Sequence, residues 1–255
     1  MTILALESSA KPASAAICSD GELLGQYFQN SGLTHSRTLL SMAQSLLNNL
    51  GIQVSGIDLI AVSHGPGSFT GVRIGVSAAK GLAWGAGIPV CGVSTLEAMA
   101  YQTQEPDVLL CPVMDARRSQ VYNALFYWKD GAPVRLCGDR AISLEDLTAE
   151  LRAYVSSDAL PDCKDCSHNS LVPNPEFQIP NPAIYLVGDG ALMSYEHLKS
   201  AGLTCRLAPE LMRYQTAYGA ALAAMHAEPM HAAELEPVYL RPSQAERERA
   251  ACSHS

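Results

Sequence analysis

A glycine-rich segment, His64–Gly75, contains the residues whose spacing is most suited to chemistry. A predicted strand enters it, and a predicted helix leaves it with Thr70 near the helix start. Turns of this kind present backbone N–H groups to anions such as phosphates. The lysine of a P-loop and the spacing of a dinucleotide fingerprint are both missing. Gly65, Gly67 and Gly71 are therefore candidates for a phosphate loop, and a tight structural turn is the alternative.

Metal-binding and nucleophilic motifs are weak by comparison. Cys163, Cys166 and His168 have ligand-like spacing, but they fall in an irregular stretch that offers no second ligand pair. The Gly-x-Ser-x-Gly turn of a serine nucleophile does not occur in the sequence. We therefore predict no metal site.

The predicted elements fall into two similar halves. Each half opens with an apolar run that ends at a carboxylate, Glu7 or Asp115, and each has an Asp-Gly turn, at Asp20 or Asp130. The two features recur at nearly the same offset, which indicates a duplicated three-strand meander with helices. We predict an α/β chain with an N-terminal lobe over 1–100, completed by a helix at 210–226. The C-terminal lobe spans 101–209, with an irregular insertion at 156–182 and a flexible tail at 241–255.

In duplicated folds of the actin kind, acids at such strand ends flank a nucleotide. Glu7 and Asp115 occupy these positions, and Gly188 and Gly190 follow a third predicted strand. The alternative is that both acids are ordinary exposed strand-end residues.

Composition excludes several functional classes. The 255-residue chain is 48% hydrophobic with a net charge of −8, so independent nucleic-acid binding is disfavoured, and Arg117-Arg118 is the one dense basic pair before the tail. No window approaches the ~20 apolar residues that a membrane span needs. The first residues lack the basic region of a signal peptide, and eight cysteines without such a signal favour reduced thiols. We expect a cytoplasmic protein without a membrane partner.

Two predicted helices suggest a protein–protein interface. One carries small residues at four-residue spacing, and the helix before it has two apolar stripes, only one of which can face a sheet. The predicted interface residues are Leu39, Ala43, Leu46, Leu50, Gly71, Gly75 and Ala79. Ordinary core packing in a layered fold is the alternative.

Five segments in order along the chain resemble the TsaB (YeaZ) family: 5–17, 65–75, 89–100, 114–126 and 237–248. The most specific are GPGSFTGVRIG and the DAR-x-x-x-VY pattern. The resemblance implies the duplicated actin/chaperone-ATPase/sugar-kinase-like (ribonuclease H-like) fold, with two lobes that each have a mixed sheet flanked by helices. The insertion is the part least covered.

The resemblance also implies a role. TsaB is the non-catalytic dimerisation subunit of the bacterial complex that makes threonylcarbamoyladenosine at position 37 of tRNAs reading codons that begin with adenine. The implied partners are TsaD and TsaE, with a homodimer when TsaD is absent and tRNA reached mainly through the complex. The complex uses ATP, but no cofactor is expected in this chain.

A comparison with the catalytic paralogue supports this expectation. TsaD carries an H-x-x-x-H metal motif, and the matching positions here are Thr95 and Met99. The glycine loop and the strand-end acids would then be remnants of a nucleotide site. The alternative is an actin-like ATPase or phosphotransferase for a small molecule, using Glu7, Asp115 and the glycine turns. A metalloprotease is disfavoured by the missing histidine pair.

Overall fold

The computed structural model describes residues 1–156 and 182–241. Its first sheet has five strands in the order β3-β2-β1-β4-β5, with β4 and β5 parallel to β1 and with β2 and β3 in an antiparallel meander. The central strand β1 is apolar and almost completely buried because helices cover both faces. The strands are β1 (Thr2–Glu7), β2 (Ala13–Ser19), β3 (Glu22–Gln29), β4 (Leu59–Gly65) and β5 (Val90–Ser94).

The second sheet repeats this topology in the order β10-β7-β6-β11-β12, with the same pattern of parallel and antiparallel neighbours. The predicted duplication is thus confirmed, and β6 is the counterpart of β1. The strands of the repeat are β6 (Val108–Arg117), β7 (Gln120–Asn123), β10 (Arg140–Ser143), β11 (Ala183–Val187) and β12 (Cys205–Leu207). An extra hairpin, β8 (Phe126–Lys129) and β9 (Ala132–Arg135), pairs with β6 through β8.

That extra hairpin corrects one step of the sequence argument. The stretch 120–128 does not form one strand of a three-strand meander, because it is divided between β7 and β8. Asp20-Gly21 joins β2 to β3, whereas Asp130-Gly131 joins β8 to β9, so the two turns are not equivalent. Both aspartates have positive φ, which is why each sequence favours a tight turn. The strand order, and not the turn spacing, establishes the repeat.

Helices pack on both faces of the first sheet. Helices α1 and α2 cover one face and the small helix α7 covers the other, where Gly219 lets α7 approach the carbonyl of Ala98 in α3. The single helix predicted at 210–226 is wrong, because residues 214–216 separate a short α6 from α7. The helices are α1 (His35–Leu50), α2 (Phe69–Ala86), α3 (Thr95–Thr103), α4 (Leu144–Ser156), α5 (Ala191–Ser200), α6 (Glu210–Arg213) and α7 (Ala217–Ala224).

Local signals account for the helix ends. Gly51 ends α1 in the left-handed conformation, and Ser68 caps α2 by accepting a hydrogen bond from the N–H of Gly71. Cys18, Cys91, Cys111 and Cys137 are buried free thiols. In the residues that the structure describes, no helix combines the length and apolarity needed to cross a bilayer. The Cys163–His168 motif, residues 157–181 of the insertion and the tail beyond Arg241 lie outside the described residues.

Candidate functional site

A cleft of about 770 Å³ opens between the ends of β1 and β6 and the start of α2. One wall is the turn after β1 together with the glycine-rich loop, and the opposite wall is the β6–β7 hairpin. Because β6 is the counterpart of β1, the duplication itself brings these two strand ends together across the cleft. The sequence-predicted Gly67 and Asp115 both line it, and so does Asp189.

Glu7 and Asp115 have different environments. The carboxylate of Glu7 is fully buried and accepts a hydrogen bond from the N–H of Ser9 at 2.6 Å, and burial raises its pKa. Asp115 is exposed and accepts a bond from the N–H of Arg117 at 2.7 Å. Both acids therefore already accept hydrogen bonds from the backbone near their own strand ends. The alternative that both are exposed strand-end residues is wrong for Glu7, which is buried.

Asp189 is the acid that sequence reasoning left out of the candidate site. It lies between Gly188 and Gly190 and lines the cleft, and burial raises the pKa of its carboxyl to about 6. Its Oδ1 atom is buried without a hydrogen-bond partner, and the same holds for Glu7 Oε2 and both polar side-chain atoms of Gln215. The Gly-x-Gly turn was the available signal, but the burial of its acid is a property of the tertiary structure.

The glycine-rich loop packs against the backbone of Ser8 and Ser9, in the turn after β1. The N–H of Ser68 donates to the carbonyl of Ser9 at 2.6 Å. A Cβ atom at Gly67 or Gly71 would overlap the carbonyl of Ser9 or Ser8 respectively. One at Gly188 would overlap the Val113 carbonyl of β6, and one at Gly190 would lie 2.9 Å from the Asp115 nitrogen. These glycines allow close backbone packing, so the geometry favours the structural turn over a free phosphate loop.

A C-terminal segment, residues 236–241, crosses the cleft mouth as a strap. Its Val238 N–H donates to the carbonyl of His64 at 2.7 Å, and a Cβ at Gly65 would overlap the Val238 carbonyl. Tyr239 accepts a hydrogen bond from Arg73 Nε at 2.8 Å. Arg241 donates to the carbonyl of Ala116 on the other wall at 2.9 Å. The predicted tail therefore begins with an anchored residue, because Arg241 ties the strap to the second lobe.

Thr95 and Met99, the two positions compared above with a metal motif, are core residues. They lie one turn apart on α3, and both are completely buried. A hydroxyl and a thioether inside an apolar core are poor ligands for a hard metal ion. In residues 1–156 and 182–241, no cluster of three or more His, Cys, Asp or Glu side chains could hold a metal.

The residues predicted as a partner interface face inward. All of them except Leu50 are buried, and a Cβ at Gly75 would lie 2.6 Å from Ser8 Oγ and 3.2 Å from Val62 Cγ2. Leu50 is half-buried beside Gly25 of β3. The interface prediction for these side chains is wrong, because the small residues of α2 let it pack on its own sheet. The buried set is Leu39, Ala43, Leu46, Gly71, Gly75 and Ala79.

The outer faces of the same two helices form an open, mainly apolar groove of about 540 Å³. Leu40, which is 46% exposed, lines the α1 side, and Ile74 and Ala78 line the α2 side. Leu40 and Leu47 belong to the second apolar stripe of α1. Leu40 faces solvent, whereas Leu47 is buried.

Comparison with known proteins agrees with this fold. Residues 29–205, more than half of the chain, match the family described as TsaD, tRNA N6-adenosine threonylcarbamoyltransferase. Among solved structures, YeaZ from Pseudomonas aeruginosa superposes with a TM-score of 0.68 at 25% identity, covering 94% of this chain and 99% of that one.

Curated relatives include two tRNA threonylcarbamoyladenosine biosynthesis proteins named TsaB. The Bacillus subtilis protein is 38% identical over 146 residues, which is 57% of this chain and 64% of that protein. The Escherichia coli protein is 38% identical over 124 residues, which is 48% of this chain and 53% of that protein. The matches thus span between about half and two thirds of these relatives' length.

Proposed function

This chain belongs to the TsaD (tRNA N6-adenosine threonylcarbamoyltransferase) family and is similar to its TsaB relatives, and from this premise we propose that it acts in tRNA threonylcarbamoyladenosine biosynthesis as a non-catalytic subunit. It acts in the cytoplasm, where it binds TsaD together with TsaE. The product is threonylcarbamoyladenosine at position 37 of tRNAs reading codons that begin with adenine.

The burial of Thr95 and Met99 is the single observation that carries the non-catalytic role. These positions correspond to the paralogue's metal-binding histidines, and here they contribute to the core beneath the cleft. Because Thr95 and Met99 stand where the paralogue has histidines, these two positions offer no ligands for the Lewis acid that would hold a threonylcarbamoyl donor. Two further contacts favour a non-catalytic role: the glycine loop is hydrogen-bonded to Ser9, and the strap crosses the cleft mouth.

The groove between α1 and α2 is the proposed contact surface for TsaD. About half of the Leu40 side chain is still exposed, so covering it would contribute roughly 1 kcal/mol to binding. A second copy of the chain could cover the same groove about a two-fold axis, which would give a homodimer when TsaD is absent.

The test compares Leu40→Asp with Ser45→Asp, which introduces the same charge on the exposed side of α1 but outside the groove. TsaD affinity is measured by titration and the homodimer by light scattering. Burial of an unpaired carboxylate is costly, so Leu40→Asp should weaken both assemblies by at least about ten-fold. Ser45→Asp should leave both unchanged. Equal behaviour of the two variants would place the interface elsewhere.

The ATPase or phosphotransferase alternative rests on the cleft, where the structure gathers Asp115, Asp189 and Gly67 into one lining. Saturable ATP hydrolysis by the purified chain alone would favour it. Recovery of TsaD and TsaE in a pull-down, with no turnover by the chain alone, would favour the subunit.

A further inference from the structure

Four cationic side chains surround the cleft mouth: Lys11, Arg117, Arg118 and Arg241. We refer to them as the basic rim. Among the residues that the structure describes, the cleft lining has two carboxylates, Asp115 and Asp189, although the whole chain has a net charge of −8. Basic side chains thus outnumber acidic ones in this lining, against the overall balance of the protein.

The backbone that carries the two rim arginines is in a conformation that residues with a Cβ rarely adopt. Arg117, Arg118 and Ser119 have φ values of 64°, 57° and 56°, three consecutive left-handed residues that are not glycine. Two hydrogen bonds hold these residues, from Arg117 N–H to Asp115 Oδ1 and from Leu144 N–H to the Ser119 carbonyl. Arg241 of the strap also donates to the carbonyl of Ala116, the residue before them. Arginines in such a turn suggest that their side chains have a use that glycine could not supply.

The rim charges are available to a ligand. Lys11, Arg117 and Arg118 are exposed, and in the described part of the chain none of them has a carboxylate within ion-pair distance. Lys11 belongs to the first lobe and the arginine pair to the second, so the charges stand on opposite walls. A ligand that neutralises them must have several separated negative charges.

We propose that the basic rim is a contact site for the phosphodiester backbone of RNA. The inference rests on the proposed function, in which the assembled complex acts on tRNA. An RNA strand has phosphates at regular intervals, and guanidinium groups bind phosphate oxygens in a bidentate manner. The rim therefore supplies affinity and positioning without base readout.

The test uses the double variant Arg117→Asn/Arg118→Asn, because asparagine tolerates the left-handed conformation while it removes both charges. The matched control is Lys199→Gln/Arg206→Gln, which removes two positive charges from α5 and β12 of the second lobe, outside the cleft lining. Binding of unmodified tRNA transcripts is measured by fluorescence polarisation over a range of salt concentrations. The protein is the full-length chain, alone and bound to TsaD.

Each lost phosphate contact should reduce the slope of log K against log salt by about 0.7–0.9. If the variant and the wild type bind equally at 1 M salt, this change in slope corresponds to roughly a five- to eight-fold lower affinity of the variant at 0.1 M salt for each lost contact. The loss should be the same for a tRNA that reads codons beginning with adenine and for one that does not. The control should bind like the wild type.

Unchanged affinity and salt slope in the double variant would overturn the proposal, as would a failure of the wild-type chain to bind tRNA both alone and with TsaD. Displacement of tRNA by millimolar ATP, with ATP binding lost in the double variant, would assign the rim to a nucleotide and also overturn it. TsaD affinity of the same samples is measured separately. A chain that binds TsaD normally but lacks the RNA effect refutes only this inference, whereas a chain that does not bind TsaD refutes the proposed function.

Discussion

Three glycines of α2 provide a graded test of why this helix contains so many small residues. Gly71, Gly75 and Gly81 lie on one helix and differ in what an added methyl group would meet. At Gly71 it would overlap the Ser8 backbone carbonyl, far inside the 3.0 Å that real Cβ contacts respect. At Gly75 it would meet Ser8 Oγ at 2.6 Å, and at Gly81 there is no atom within 4 Å.

The same change to alanine should thus have opposite effects along one helix. Gly81→Ala should stabilise the protein by about 1 kcal/mol through helix propensity alone. Gly71→Ala should destabilise it by about 1–3 kcal/mol, because the turn after β1, which contains Ser8, and the helix must separate to admit the methyl group. Gly75→Ala should lie between them, since displacing Ser8 Oγ breaks its buried 2.9 Å hydrogen bond to the Gly71 carbonyl and offsets the helix gain.

Thermal and denaturant unfolding of the three variants measure the series. For a chain of this size 1 kcal/mol corresponds to a change in Tm of about 2–4 °C, so the two extreme variants should differ clearly. Gly71→Ala with wild-type stability would refute the packing argument. If that variant instead lost only its affinity for TsaD, the original interpretation of these glycines as an interface would be restored.

Three further predictions concern two acids of the cleft and the metal content of the chain. Asp189 has a pKa of about 6 in the folded protein against an ordinary value of 3.8, so the folded state retains the proton and stability should fall as pH rises through about 4–6. Asp189→Asn should remove that fall, so the difference in unfolding free energy between the variant and the wild type should change with pH. A difference that stays constant between pH 4 and 8 would contradict the argument. Asp115→Asn should leave the activity of the assembled complex within a few-fold; a loss of several orders of magnitude with intact assembly would restore a catalytic role. Elemental analysis of the purified chain should show no stoichiometric zinc or iron, and one bound metal per chain, lost on Cys163→Ser, would overturn the metal-free expectation.

Much of the fold follows from local sequence. The apolar run of β1, the apolar stripes of α1 and the glycine at its end, Gly51, are short-range signals. The repeat was visible as well, because Glu7 is the last residue of β1 and Asp115 lies two residues before the end of its counterpart β6. Signals of this kind depend on neighbours a few residues away, so the sequence can display them directly.

The site depended on contacts that are distant in sequence. Spacing showed that Gly71 and Gly75 required a close backbone neighbour, but only the fold identified Ser8 as that neighbour, rather than a helix of another protein. The two explanations make the same demand on side-chain size, and small size is all that this glycine spacing displays. In the same way, more than a hundred positions separate Lys11 from Arg117, and Arg117 from Arg241. The packing of the two lobes brings Lys11 and Arg117 to one cleft mouth, and the strap adds Arg241.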